Sequence, residues 1–384
     1  MLIIARPIKG YALPVKKKTS RQKIGAALLI TAVLVGCMAA FALLFPYPNT
    51  SVVAPALNLK AGLIVDDGRH NGFPDLIHWQ DNFYLAFRAA KNHIDPNSSI
   101  KILRSSDAEK WQLVAEMRLD NEDIRDPKFA SIRGELFLYA LKNKEIGEAP
   151  YTTVFSTSTD GVTWTQWRDV SPTNWVFWRP KTDDEKIWYV AADDRKAKRS
   201  ALFSSTDGMT WSKVSTIYSG EFTAETELAF LANKDILATL RVEGVEGDPR
   251  TLIAHSIYPY QTWDIASSHV TRLDGAASFT YHNRVFSVGR FEPRPLFKTG
   301  SFLNQKRTAI FHIQANEISW LSDLPSAGDT GYASVVLQND KAFIVYYTSD
   351  PNNDYPWVLG QFKPTQIRMA QIDLNGLEQL SNGH

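Results

Sequence analysis

Asp75, Asp126, Glu225 and Tyr332 each stand just ahead of an apolar or aromatic run, and Arg88, Arg241 and Arg290 each close such a run. Their chemistry is complementary. A guanidinium offers a planar fork of donors that matches a carboxylate through two parallel hydrogen bonds. Carboxyl groups with different pKa values can divide the work of glycoside hydrolysis, one as acid and one as base or nucleophile. Asp75, Asp126 and Glu225 would make one such carboxylate trio. The same residues also have plain structural readings: strand-ending arginines paired with nearby acids, Tyr332 as a packed aromatic, and Glu225 as the ion-pair partner of Arg241.

What could bring these residues together is a repeat. One phrase, an apolar run, a polar turn and a second apolar or aromatic run, recurs six times at a period of about 51 residues. Its copies fall at 76–88, 128–141, 175–192, 228–241, 278–290 and 334–348, and each reads as a β-hairpin. A further strand follows each hairpin, and Trp111, Trp164, Trp211, Trp263 and Trp320 open a fourth strand in all units but the last. Four-stranded units at this spacing predict an all-β, six-bladed propeller over residues 61–380, with 61–65 completing the last sheet. In an antiparallel meander the start of strand one and the end of strand two lie on the same face of the ring. The acids, Tyr332 and the arginines are therefore expected around one funnel.

A net charge of +1 gives no case for nucleic acid, which needs a concentrated basic surface. The N-terminus reads separately. Lys16, Lys17, Lys18, Arg21 and Lys23 precede an uncharged apolar stretch over 24–45, about 22 residues, long enough to cross a bilayer as a helix. Basic residues ahead of it put residues 1–23 in the cytoplasm and the propeller outside, on a single-pass anchor. A cleaved signal peptide is a competing reading. So is lipidation at Cys37, the only cysteine, because Leu34-Val35-Gly36-Cys37 resembles a lipoprotein cleavage box. Residues 46–60 have the Pro, Asn and Ser content of a linker.

Two segments, Ser158-Thr-Asp-Gly-Val-Thr-Trp164 and Ser205-Thr-Asp-Gly-Met-Thr-Trp211, are close copies, and Ser105 to Trp111 is a degraded third. Local turn chemistry accounts for Asp107, Asp160 and Asp207. Repeated at blade spacing, these segments resemble the Asp-box (BNR repeat) of the sialidase superfamily, and the likeness extends over most of 62–375. In that family arginines hold the substrate carboxylate, a tyrosine activated by a glutamate is the nucleophile, and an aspartate is the acid/base. The resemblance implies Tyr332 as nucleophile, Glu225 as its base, Arg241 and Arg290 in the carboxylate clamp, and Asp95, twelve residues before Asp107, as the acid/base. Asp126 is the alternative acid, Arg88 a further clamp residue, and Asp75 and His93 further binding residues.

Two departures stand out. Gly72-Phe73-Pro74 occupies the place of the family's Arg-Ile-Pro, and Thr348 stands where a glutamate usually orients an arginine. The pieces Phe87-Arg88…His93, Arg125-Asp126-Pro127-Lys128 and Asp329-Thr330-Gly331-Tyr332 are more similar to uncharacterised bacterial sialidase-like proteins. Arg125-Asp126-Pro127 also resembles the Arg-Asp-Pro segment of fructan-type glycosidases. The expected activity is cleavage of terminal acidic sugars from glycans. A non-catalytic glycan-binding propeller is the alternative. His70 and His93 have no cluster of further ligands at metal spacing along the sequence, so no metal and no cofactor is expected.

Overall fold

In a computed structural model the hairpins of the repeat become the inner strands of six four-stranded antiparallel sheets. The structure describes residues 20–44, 48–143, 151–170, 172–173, 175–244, 248–268, 272–295, 297 and 299–383. Two units are resolved, one up to Pro46 and one from Tyr47 onward.

In the second unit, the first two strands of each blade are His70–Trp79 and Asn82–Ala90, Asp123–Ile132 and Glu135–Asn143, Val176–Phe177 and Trp188–Asp194, Thr223–Phe230 and Ile236–Val242, Asp274–Tyr281 and Arg284–Phe291, and Thr330–Gln338 and Lys341–Thr348. Lys60–Val65 pairs with Gln366–Asp373 as the outer strand of blade six, so the two ends of the unit share one sheet. That pairing closes the ring and leaves no blade lacking its outer strand. Blade three departs most from the repeat. Its first strand shrinks to two residues, because Pro180 and the turn cluster 182–187 replace the regular ladder.

The core is divided among the seams. Separate apolar clusters lie between blades one and two, two and three, three and four, four and five, five and six, and six and one. Each blade thus buries both faces against its neighbours, and the ring is held by its own closure. The stretch expected as a linker is docked. Val52 exchanges hydrogen bonds with Asp323, Ala54 N–H donates to Ser322, and Leu57 is fully buried beside the C-terminal helix Leu374–Ser381.

The turns at 105–111, 158–164 and 205–211 join third and fourth strands. In each, an aspartate accepts two backbone N–H groups, as Asp160 does from Val162 and Thr163 at 2.8 and 2.7 Å. These amides hold the Asp107 carboxyl down at about 2.

In the first unit, residues Ser20–Leu44 are helical, where the sequence predicts the membrane span. Among the described residues no helix is long and apolar enough to cross a membrane, so the expected transmembrane helix is not shown.

Candidate functional site

Five of the six innermost strands break register at the same point. The pairing slips between Gly72 and Asp75, Arg125 and Lys128, Ala224 and Glu227, Asp274 and Ala277, and Gly331 and Ser334. At each slip one residue takes a left-handed conformation: Phe73 (φ 55°), Asp126 (52°), Glu225 (55°), Gly275 (60°) and Tyr332 (48°). A bulge of this kind re-aims a side chain, and a bulky residue at positive φ is a strained state that surrounding packing must hold. Pro74 and Pro127 sit next in the bulge, where no ladder N–H is needed.

The re-aimed residues meet. Tyr332 Oη donates to Glu225 Oε1 at 2.5 Å, and Arg241 Nη1 donates to the same oxygen at 2.5 Å and to Tyr332 Oη at 3.2 Å. The other Glu225 oxygen accepts the Gly275 N–H at 2.7 Å. Gly275 must be glycine, since a Cβ there would lie 2.6 Å from the Tyr332 ring. Phe73 packs edge-on against Tyr332 at 4.8 Å. Burial, followed by the charge of Glu225, raises the Tyr332 hydroxyl well above its usual range. Burial would raise Glu225 too, but the charge of Arg241 and the hydrogen bonds from Tyr332 and Arg241 together hold the carboxyl below its ordinary value. The pair is a neutral phenol bonded to an ionised carboxylate.

Asp126 differs from the other acids. Burial pushes its carboxyl up, against the pull of Lys128 and Arg125 and with the help of Glu225. Its Oδ1 is buried without a hydrogen-bond partner. A carboxyl so placed keeps its proton to higher pH, which suits a general acid. Asp95 lies in the loop after blade one's second strand, where its oxygens accept the N–H groups of Lys91 (2.8 Å) and Asn97 (2.9 Å). Those bonds overcome partial burial and hold its carboxyl low.

The remaining expected residues are tied to protein partners. Asp75 is buried on the axis, bonded to the Arg179 guanidinium and to Phe129 N–H, and Arg179 reaches on to Glu227 and Ala333. This places Asp75 in an ionic cluster with Arg179 and Glu227. Arg88 is fully buried on Asp123 and the Asn92 carbonyl. Arg290 lies between the Tyr332 and Trp357 rings, with its edges on Asp274 and the Thr330 carbonyl. Arg241 also meets Glu243 and Asp274. Thr348 bonds to backbone at Ala327 and Ser349.

His93 and His70 both point at one Asp329 oxygen, at 2.7 and 2.9 Å, and the other oxygen accepts from Tyr347 Oη and Trp357 Nε1 at 2.8 Å each. The three ligating atoms lie within 4.8 Å of one another, a set that could hold a metal ion. Sequence spacing gave no sign of it, because Asp329 comes from blade six. Burial pulls His93 down to about 4, and Asp329, despite its own burial, is held well below the usual range by the two imidazoles. Four donors on one carboxylate make a hydrogen-bonded clamp that fixes the blade-one loop to blade six.

Sequence reasoning gave no role to Asp123 and Asp274, which pair with arginines, to Asp329, which holds His70 and His93, or to Arg179, the partner of Asp75. Each is drawn from a blade other than that of at least one partner, although Asp123, Asp274 and Asp329 all stand at or just ahead of the start of a first strand, a position that could have marked them.

No family model and no curated protein matches the chain. Solved structures share its fold. A protein of unknown function from Dyadobacter fermentans is 18% identical, with a TM-score of 0.61 over 82% of this chain and 99% of the other. A sialidase of Trypanosoma rangeli, solved with 2,3-difluoro-KDN, is 12% identical, with a TM-score of 0.64 over 86% of this chain. The NanB sialidase of Streptococcus pneumoniae, as its K499G mutant, is 10% identical, with a TM-score of 0.60 over 82%. This chain spans 60% of the trypanosomal chain and 70% of the streptococcal one. The six-bladed propeller is thus of the kind on which sialidases are built.

Proposed function

We propose that the protein is a glycoside hydrolase of sialidase type, acting on terminal acidic sugars with retention of configuration. The 2.5 Å hydrogen bond between Tyr332 and Glu225, both on left-handed bulges, carries this reading. Glu225 takes the phenolic proton as Tyr332 Oη attacks the anomeric carbon. Asp126, holding its proton, gives it to the departing glycosidic oxygen, then draws one from the water that releases the sugar. A neutral nucleophile is repelled less than a carboxylate by an acidic sugar, which supports a tyrosine here. Arg241 holds Glu225 ionised and aimed. Asp126 is preferred to Asp95 because its carboxyl is raised while that of Asp95 is lowered.

The test is a panel of sialosides, uronosides and fructosides with the propeller from residue 48, beside Tyr332→Phe and Asp126→Asn. Turnover of acidic glycosides lost in Tyr332→Phe is the expected result; turnover that survives it contradicts the mechanism. The apolar run over 24–45 and the basic residues before it support, as a further part of this proposal, a membrane-attached protein with its propeller outside the cytoplasm. Full-length protein extracted from membranes by salt or carbonate, without detergent, would refute that placement.

A further inference from the structure

The arginines expected to grip an acidic sugar have little left to offer one. Arg88 and Arg290 are sealed, and Arg241 is bonded to three carboxylates. On the blade-four and blade-five side, Arg241, Arg272 and Arg290 face Glu225, Glu243 and Asp274, three cations against three anions. On the opposite side the direct pairing is sparser. Arg88 and Arg125 share the single carboxylate of Asp123, one oxygen each. Arg195, in the loop after blade three's second strand and so on the same face as Tyr332, makes no direct ion pair among the described residues, although its charge reaches the buried Asp193 carboxyl.

What holds Arg195 is aromatic. Its guanidinium lies 4.7 Å from the Tyr151 ring centre and 5.7 Å from that of Phe222. The Arg125 guanidinium lies over the same Tyr151 ring at 5.9 Å. Arg195 Nε and Arg125 Nε are both buried without a hydrogen-bond partner. Cation–π contact fixes a guanidinium while leaving the donors on its edge free.

We propose that Arg195 and Arg125, both stacked on Tyr151, form the subsite for the substrate's acidic group, a carboxylate or a sulfate. The proposal rests on the hydrolase reading for the substrate being a sugar. It moves charge recognition to blades two and three, next to Asp126.

The test uses Tyr332→Phe protein, so that binding is read without turnover. Glucuronate, glucose 6-sulfate and glucose are titrated by calorimetry in low salt. At least one acidic sugar should bind and glucose should not. Arg195→Ala should weaken acidic-sugar binding roughly tenfold or more, as expected for charge-assisted hydrogen bonds, with unchanged melting temperature. Arg195→Lys should restore part of the charge but not the fork. Equal binding of glucose and both acidic sugars, no binding of either acidic sugar, or Arg195→Ala binding as tightly as its parent would overturn the proposal. Arg195-dependent binding in a protein whose wild type turns over no glycoside would instead defeat the hydrolase reading and leave the subsite standing.

Discussion

At the scale of single residues, Asp126 and Glu225 show how one funnel keeps two acids in opposite states. Both are buried, yet Arg241 holds Glu225 low while Asp126 is left raised. The base must be ionised and the acid protonated, so activity should fall as pH drops through the depressed Glu225 value and as it rises through the elevated Asp126 value. A pH profile of kcat/KM should be bell-shaped, and Asp126→Asn should cut the rate roughly 10²- to 10⁴-fold and abolish the alkaline limb. Linkage adds a stability signature. A carboxyl raised in the folded state contributes stability below its unfolded pKa and loses it as pH rises through the folded value. Asp126→Asn should therefore melt higher than wild type at neutral pH, with the gap closing in acid; equal melting at every pH would contradict a raised Asp126. Asp274 has the reverse sign, held far down, against its burial, by Arg241, Arg272 and Arg290. Asp274→Ala leaves three buried guanidiniums short of an anion and should cost about 3–5 kcal/mol in denaturant unfolding.

The decisive element is the bulge in the first strand. It converts Glu225 and Tyr332, which the repeat places at equivalent points of different blades, into a bonded pair, and it aims Asp126 at the same funnel. Gly275 is the blade-five version, kept small because Tyr332 fills its space. Gly275→Ala should displace Tyr332, cost about 1–3 kcal/mol as an overpacked site, and lower kcat more than it raises KM; kinetics and melting on the same preparation would check both. This element also marks where the sequence stopped being readable. Tyr332, Glu225, Arg241 and Asp126 were legible because residue type and blade position coincide. The bulge itself was not, since one inserted residue leaves the apolar alternation intact on either side. Arg195 was hidden in the charged segment Asp193–Arg199, where nothing local separates a stacked guanidinium from a solvated one. Asp274 and Asp329 were hidden because their partners are drawn from several blades, and such pairings have no signature along the chain.

For the molecule as a whole, the repeat gave the blade count and the face of each loop, while closure depended on a segment outside the repeat. Lys60–Val65 supplies the last strand, and Leu57 packs against the C-terminal helix. A chain beginning at residue 48 should fold like the full second unit, whereas one beginning at residue 66 should melt lower and aggregate through the bare edge of blade six; matching melting curves for the two would contradict closure by this strand. The ring's rigidity serves the funnel, whose residues arrive from at least four blades. The central claim is that Tyr332 becomes covalently glycosylated, and intact and peptide mass spectrometry after incubation with 2,3-difluorosialic acid reads it most directly. One sugar adduct on the Tyr332 peptide, absent from Tyr332→Phe, is the expected result. Active enzyme that turns over sialosides while showing no adduct, or an adduct on another residue, would contradict it.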